Sequence, residues 1–178
     1  MGFLLQFLAT KAIAPILGSI VLLSMGEHPV SLSKPEVFVS GDTLFISTRV
    51  NNGFTKELME IVKSGTPVTF RLKIEAVENI YFIHIVKYNI EKRMYTIERE
   101  GEKGEVKTED EKKMQEFVSN FSRVFIPVKK IPSSQKIIIR ISLDSVTLEF
   151  LEDEEFDLMT LWNYRSPQQT INIKSKNP

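Results

Sequence analysis

Only two histidines stand in this chain, His28 and His84, and there is no cysteine. Disulfides, thiolate nucleophiles and thiolate metal ligands are therefore excluded together. His28 lies in a polar lead-in, EHPVSLSKP, while His84 sits among isoleucines in YFIHIVKY. A Ser-His-Asp arrangement through His84 would draw on Ser145 and Asp144, but no nucleophile elbow or comparable signature surrounds either residue. A histidine in an apolar strand is ordinarily a hydrogen-bonded core or interface group, and His84 is read that way. No pair of histidines has metal-ligand spacing.

The carboxylates are no more specific. Glu152, Asp153, Glu154, Glu155 and Asp157 form an acidic run that could meet calcium at a loop rim, yet it lacks the Asx-Gly pattern of a calcium loop. Such runs are usually solvated faces. Lys129, Lys130, Lys136 and Arg140 form a modest basic group near a proline corner, in keeping with lysine protection of a strand edge. The sequence thus nominates no catalytic, cofactor-binding or metal-binding residue.

What it does nominate is a surface. Ile80–Ile90 is apolar on both sides of a predicted strand, with Phe82, His84, Val86 and Tyr88 on one face and Tyr81, Ile83 and Ile85 on the other. A strand of that kind is either covered twice or docked against something. Tyr81, Ile83 and Ile85, with Trp162 and Tyr164 near the C-terminus, are the candidate partner-binding residues, because clustered aromatic and aliphatic side chains mark interfaces. Packing into the core is the favoured reading for the aromatics, since aromatics in a sandwich are usually core.

The elements that position these residues follow from periodicity. Asn51-Asn52-Gly53 make a turn, Thr55 caps a short helix, and Leu58, Ile61 and Val62 give that helix one apolar face. Gly65 sits at its C-terminal cap and Pro67 stops it. From Val68 the period becomes two: Val68, Phe70, Leu72 and Ile74 alternate with Thr69, Arg71, Lys73 and Glu75. Short strands are also predicted at 36–40, 43–50, 94–98 and 124–128, with an edge strand at 170–173. Residues 99–107 read as a charged turn. Thr108 and Glu111 form a capping box that opens a second helix, running to about Asn120.

In Lys136–Phe150 the apolar parity changes at Asp144-Ser145, which either a two-residue hairpin or a bulge would explain. Seven to nine short strands with two helices and no βαβ alternation predict a mainly β fold. The expected form is an antiparallel β-sandwich, immunoglobulin-like or C2-like, with the helices in its connections.

Residues 3–25 carry a single charge, Lys11, and Ala12–Met25 is uninterrupted by charge. Fourteen such residues suit a signal-peptide core and are short for a spanning helix. Residues 1–26 are accordingly read as a signal peptide or a membrane anchor, and 27–178 as a single domain. Lysine plus arginine equals aspartate plus glutamate at 23 each, so no global field favours nucleic acid.

Four stretches carry a resemblance: FTKELMEIVKSGTPVTFRLKIE, KYNIEKRMYTIE, the capped helix with the strand after it, and the strand ending ISLDS. With Gly65-Thr66-Pro67 and Tyr88-Asn89…Tyr95, the chain resembles an uncharacterised family of exported bacterial envelope proteins over about residues 35–150. It departs after Leu143-Asp144, where the family's Leu-Pro is missing, and Trp162 matches the family's C-terminal tryptophans only loosely. The resemblance implies export and brings no catalytic residues. The expectation is a non-catalytic envelope protein-interaction or scaffold module, periplasmic and soluble or tethered through residues 3–25, with another envelope protein as partner. A lipid or apolar-ligand carrier is the alternative, and a hydrolase with an unrecognised site ranks third.

Overall fold

The period-two stretch beginning at Val68 becomes an inner strand of the larger of two main sheets. The computed structural model describes residues 29–101, 104–131, 136–148 and 154–173. Strands β1 (Ser31–Leu32), β2 (Glu36–Ser40) and β3 (Thr43–Asn51) come first, then helix α1 (Lys56–Lys63). β4 (Val68–Glu75), β5 (Asn79–Asn89), β6 (Met94–Arg99) and β7 (Glu105–Thr108) lead to helix α2 (Glu111–Ser119). After it come β8 (Asn120–Pro127), β9 (Lys136–Leu143), β10 (Val146–Leu148), β11 (Glu154–Phe156), a 3-10 turn at Leu158–Trp162, and β12 (Gln168–Asn172).

β12, β9, β4, β5, β6 and β7 form a six-stranded antiparallel sheet in that order. In the second sheet β3 is central: β1 and β2 pair with successive parts of one side, and β8 pairs with Thr43 to Arg49 on the other. The fold is an antiparallel β-sandwich with two helices in its connections, as the periodicity predicts.

Alternation decides what faces inward. Val68, Phe70, Leu72 and Ile74 of β4, and Ile137, Ile139, Ile141 and Leu143 of β9, are buried. They meet Leu44, Ile46 and Val50 of β3 and Val124 and Ile126 of β8 in one core. Burying each such side chain contributes about 1.5–3 kcal/mol of apolar transfer, so a one-residue slip would expose the whole set.

α1 forms where the sequence places it. The Thr55 hydroxyl accepts from the Leu58 amide at 3.2 Å, and Leu58, Met59, Ile61 and Val62 are buried. Gly65 has φ +94° and donates to the Val62 carbonyl at 3.0 Å. A Cβ there would have room, with Ile90 Cδ1 at 3.5 Å, so the demand is conformational. Gly65→Ala is expected to lower stability by about 1 kcal/mol, seen as a lower urea midpoint with an unchanged slope.

Three expectations are corrected. α2 is capped by Asp110, whose carboxylate accepts from the Lys112 and Lys113 amides at 2.8 and 3.1 Å. Thr108 ends β7 opposite Tyr95 and uses its hydroxyl to hold the Asp110 amide, so it is not the N-cap. The charged stretch 99–107 is not all turn, because Glu105–Thr108 pairs with β6. At Asp144-Ser145 there is neither a hairpin nor a bulge: β9 stays with β4 and β12, while β10 leaves to pair with β11. The parity change marks a strand passing from one sheet to another. The 1–26 segment, His28, Glu152 and Asp153 lie outside the described residues. Among the described residues no helix is long and apolar enough to cross a membrane.

Candidate functional site

His84 belongs to the core. It faces inward on β5 opposite Phe70, its ring stacks on Phe121 with centroids 3.9 Å apart, and Nδ1 lies 2.8 Å from the Val118 carbonyl. A carbonyl only accepts, so Nδ1 carries a proton and donates. Asp144 is on the other side of the sheet, where its carboxylate accepts from Arg71, Nε to Oδ1 at 2.8 Å. That hydrogen bond holds the Arg71 pKa above its ordinary value. His84 and Asp144 therefore form no catalytic pair, and their roles are to seat α2's last turn and to pin the end of β9.

The acidic and basic groups also have structural employment. Asp157 caps the 3-10 turn by accepting from the Met159 amide at 2.9 Å, and Glu154 and Glu155 pair within β11 opposite β10. Lys130 meets Glu78 at 2.8 Å, which lowers the Glu78 pKa, and Arg140 meets Glu75 at 3.1 Å. Among the described residues no three histidine, aspartate or glutamate side chains converge as a metal site would require.

The five nominated partner-binding residues separate into three environments. Tyr81, Ile83 and Ile85 share the outer face of β5, where Tyr81 is 45% exposed and the two isoleucines are half-buried. Their neighbours in register on β4 are Lys73, Arg71 and Thr69, and the Arg71 guanidinium lies 5.7 Å from the Tyr81 ring centroid. On the β6 side, Ile83 and Ile85 line an open depression of about 610 Å³ with Glu98, Arg99, Glu100, Gly104 and Glu105. Glu98 is held by Lys87 at 2.6 Å and Glu105 by Lys107 at 2.8 Å, so the wall is a set of paired charges around an apolar floor.

Tyr164 is highly exposed, in a left-handed turn at φ 55°, and belongs to the segment after the 3-10 turn. Trp162 is a correction. It is 3% exposed, its ring packs against Phe70, and Nε1 donates to the Gly53 carbonyl at 3.0 Å. An aromatic two residues from an exposed tyrosine is drawn inward because the 3-10 turn aims it at the core.

Sequence reasoning missed a second apolar surface. All five residues of β2 are exposed, including Val37, Phe38 and Val39. Phe38 stacks on Phe45 at 4.8 Å, and Phe45 is in register with the exposed Phe125, which makes a cross-strand row of phenylalanines. On the other side, Val37 and Val39 line an open groove of about 730 Å³ with Ile171 and Ile173 at the far sheet's edge. The signal was present: EVFVS has three apolar residues in succession, which sets Phe38 on the face of Glu36 and Ser40 that alternation would otherwise leave wet.

No family model, curated protein or solved structure matches the chain.

Proposed function

We propose that this protein is a non-catalytic protein-interaction module of the bacterial envelope, presenting the outer face of β5 to a partner protein. The observation that carries the reading is the line of Tyr81, Ile83 and Ile85 on the solvent side of a sheet whose other outward residues include Arg71, Lys73, Glu75 and Glu98. An apolar strip bordered by paired charges is how a partner-binding core and its polar rim are arranged. The envelope assignment draws on the apolar stretch Ala12–Met25 and on the motif resemblance around Gly65-Thr66-Pro67.

The carrier reading needs the sheets to part around a ligand. Phe70, Phe121, Leu72, Ile74 and Ile139 occupy that space, all essentially inaccessible to solvent. The hydrolase reading needs His84 beside a nucleophile, whereas His84 is stacked under Phe121.

Ile83→Glu places a charge on the strip without entering the core. Crosslinked pull-down from the native envelope, with mass spectrometry of bait and prey, is expected to return a stoichiometric partner for the wild type. The variant should lose that partner while its thermal midpoint stays within a few degrees. A folded Ile83→Glu protein that keeps every partner would remove this face from the proposal.

A further inference from the structure

β2 is an edge strand: it pairs with β3, and no other strand among the described residues pairs with its outer edge. Its hairpin to β3 turns at Gly41-Asp42, with Gly41 at φ +57° and Ser40 opposite Thr43. In a two-residue hairpin the pair that closes the turn exchanges both backbone hydrogen bonds, and the pattern then alternates along the strand. Ser40, Phe38 and Glu36 therefore bond to β3, and the backbone groups of Val37 and Val39 point away from it. Natural edges are usually blunted by lysine, proline, a bulge or a covering segment. The stretch 36–40 contains none of these residues, pairs with β3 in unbroken register and is exposed throughout.

We propose that β2 is a homodimerisation edge, pairing antiparallel with β2 of a second copy of this chain about a two-fold axis at Phe38. The short sequence is self-complementary in that register. Val37 faces the second copy's Val39, and Val39 its Val37, so both outward-pointing backbone pairs exchange hydrogen bonds. Phe38 faces Phe38 across the axis, joining two phenylalanine rows into one. Glu36 falls opposite Ser40, and no like charges meet.

Beyond the strand, the same register sets exposed Lys34 opposite the second copy's exposed Asp42 at both ends. A copy shifted by one residue would aim Val37 and Val39 at backbone already bonded to β3. The pairing also sets the apolar groove of Val37, Val39, Ile171 and Ile173 beside the same groove of the second copy. Closed two-fold symmetry uses up the edge on both molecules and stops further addition.

The absence of cysteine makes the register directly readable. Residues facing each other in a non-hydrogen-bonded antiparallel pair have Cα atoms about 4.5 Å apart, within disulfide reach. With the full chain in mild detergent, Phe38→Cys is expected to form a covalent dimer under mild oxidation. Val37→Cys and Val39→Cys should each stay uncrosslinked alone and crosslink when mixed. Sedimentation of the unmodified chain should show a dimer. Lys34→Glu is expected to weaken it about tenfold, since two exposed attractive contacts become repulsive.

The double exchange Lys34→Glu with Asp42→Lys should restore the dimer, which a merely structural role for either residue would not do. A monomeric wild type at all concentrations overturns the proposal. So does crosslinking of Val39→Cys alone as fast as Phe38→Cys, or a dimer that survives Phe38→Glu, because association would then run through another surface or through the apolar residues 3–25.

Discussion

Trp162→Ala is expected to lower the unfolding free energy by about 3–5 kcal/mol, as removal of a large buried aromatic does. The ring is almost fully buried, packs 6.0 Å from the Phe70 centroid, and reaches through Phe70 to Phe54, which lies 5.0 Å further on. Two losses combine. One is the apolar contact that holds the 3-10 turn against the sheet. The other is the hydrogen bond from Nε1 to the Gly53 carbonyl, left without its partner when the indole is gone. Trp162→Phe separates them: it keeps most of the ring, strands the carbonyl and should cost about 1–3 kcal/mol.

Gly53 itself is tightly enclosed, since a Cβ there would stand 2.8 Å from Val50 Cγ1 and 3.5 Å from the Trp162 ring. Trp162 is the sole tryptophan, so far-UV circular dichroism in urea is the measurement that serves wild type and variants alike. A Trp162→Ala protein within about 1 kcal/mol of wild type would contradict a core position for the ring.

Phe121→Ala is the second large effect, also about 3–5 kcal/mol. Phe121 is 1% exposed and is the second residue of β8, just after α2, where it pairs with Thr48 beside a register shift. Its ring lies flat on His84, and His84 in turn holds the Val118 carbonyl at the end of α2. Removing the phenyl ring leaves a cavity between the two sheets and frees the imidazole that ties helix to sheet. The expected protein keeps its strand signal, unfolds at a lower urea concentration and exchanges the amides of α2 faster. A double-mutant cycle with His84→Ala should show coupling of about 0.5–1.5 kcal/mol from the stacked pair. Strict additivity would mean that the two rings act independently.

Both substitutions fall on residues whose importance periodicity could not rank. What the sequence by itself determined were the features written in local chemistry. Thr55, Gly65 and Pro67 delimit α1 because capping and left-handed backbone are demands of single residues. The alternation from Val68 to Glu75 and from Lys136 to Leu143 specifies which face is dry. Tyr88 and Tyr95 come out opposite each other because the turn between them is short. These local rules were sufficient for the fold class, an antiparallel sandwich.

Tertiary structure decided everything that depends on which strand lies beside which. Glu105–Thr108 is a strand because β6 offers an edge to it, although EVKT carries little apolar signal. Asp110 rather than Thr108 caps α2 because Thr108 is occupied in that ladder. Val146 and Leu148 leave β9 because Glu154–Phe156 supplies another partner. Trp162 turns inward and Tyr164 outward within three residues, a choice made by the 3-10 turn's orientation and the open Gly53 carbonyl. On β2, Val37 and Phe38 read as core by type and are surface by position. Hydrophobicity states that a side chain gains by leaving water, and only the packed chain states whether its own strands suffice to cover it.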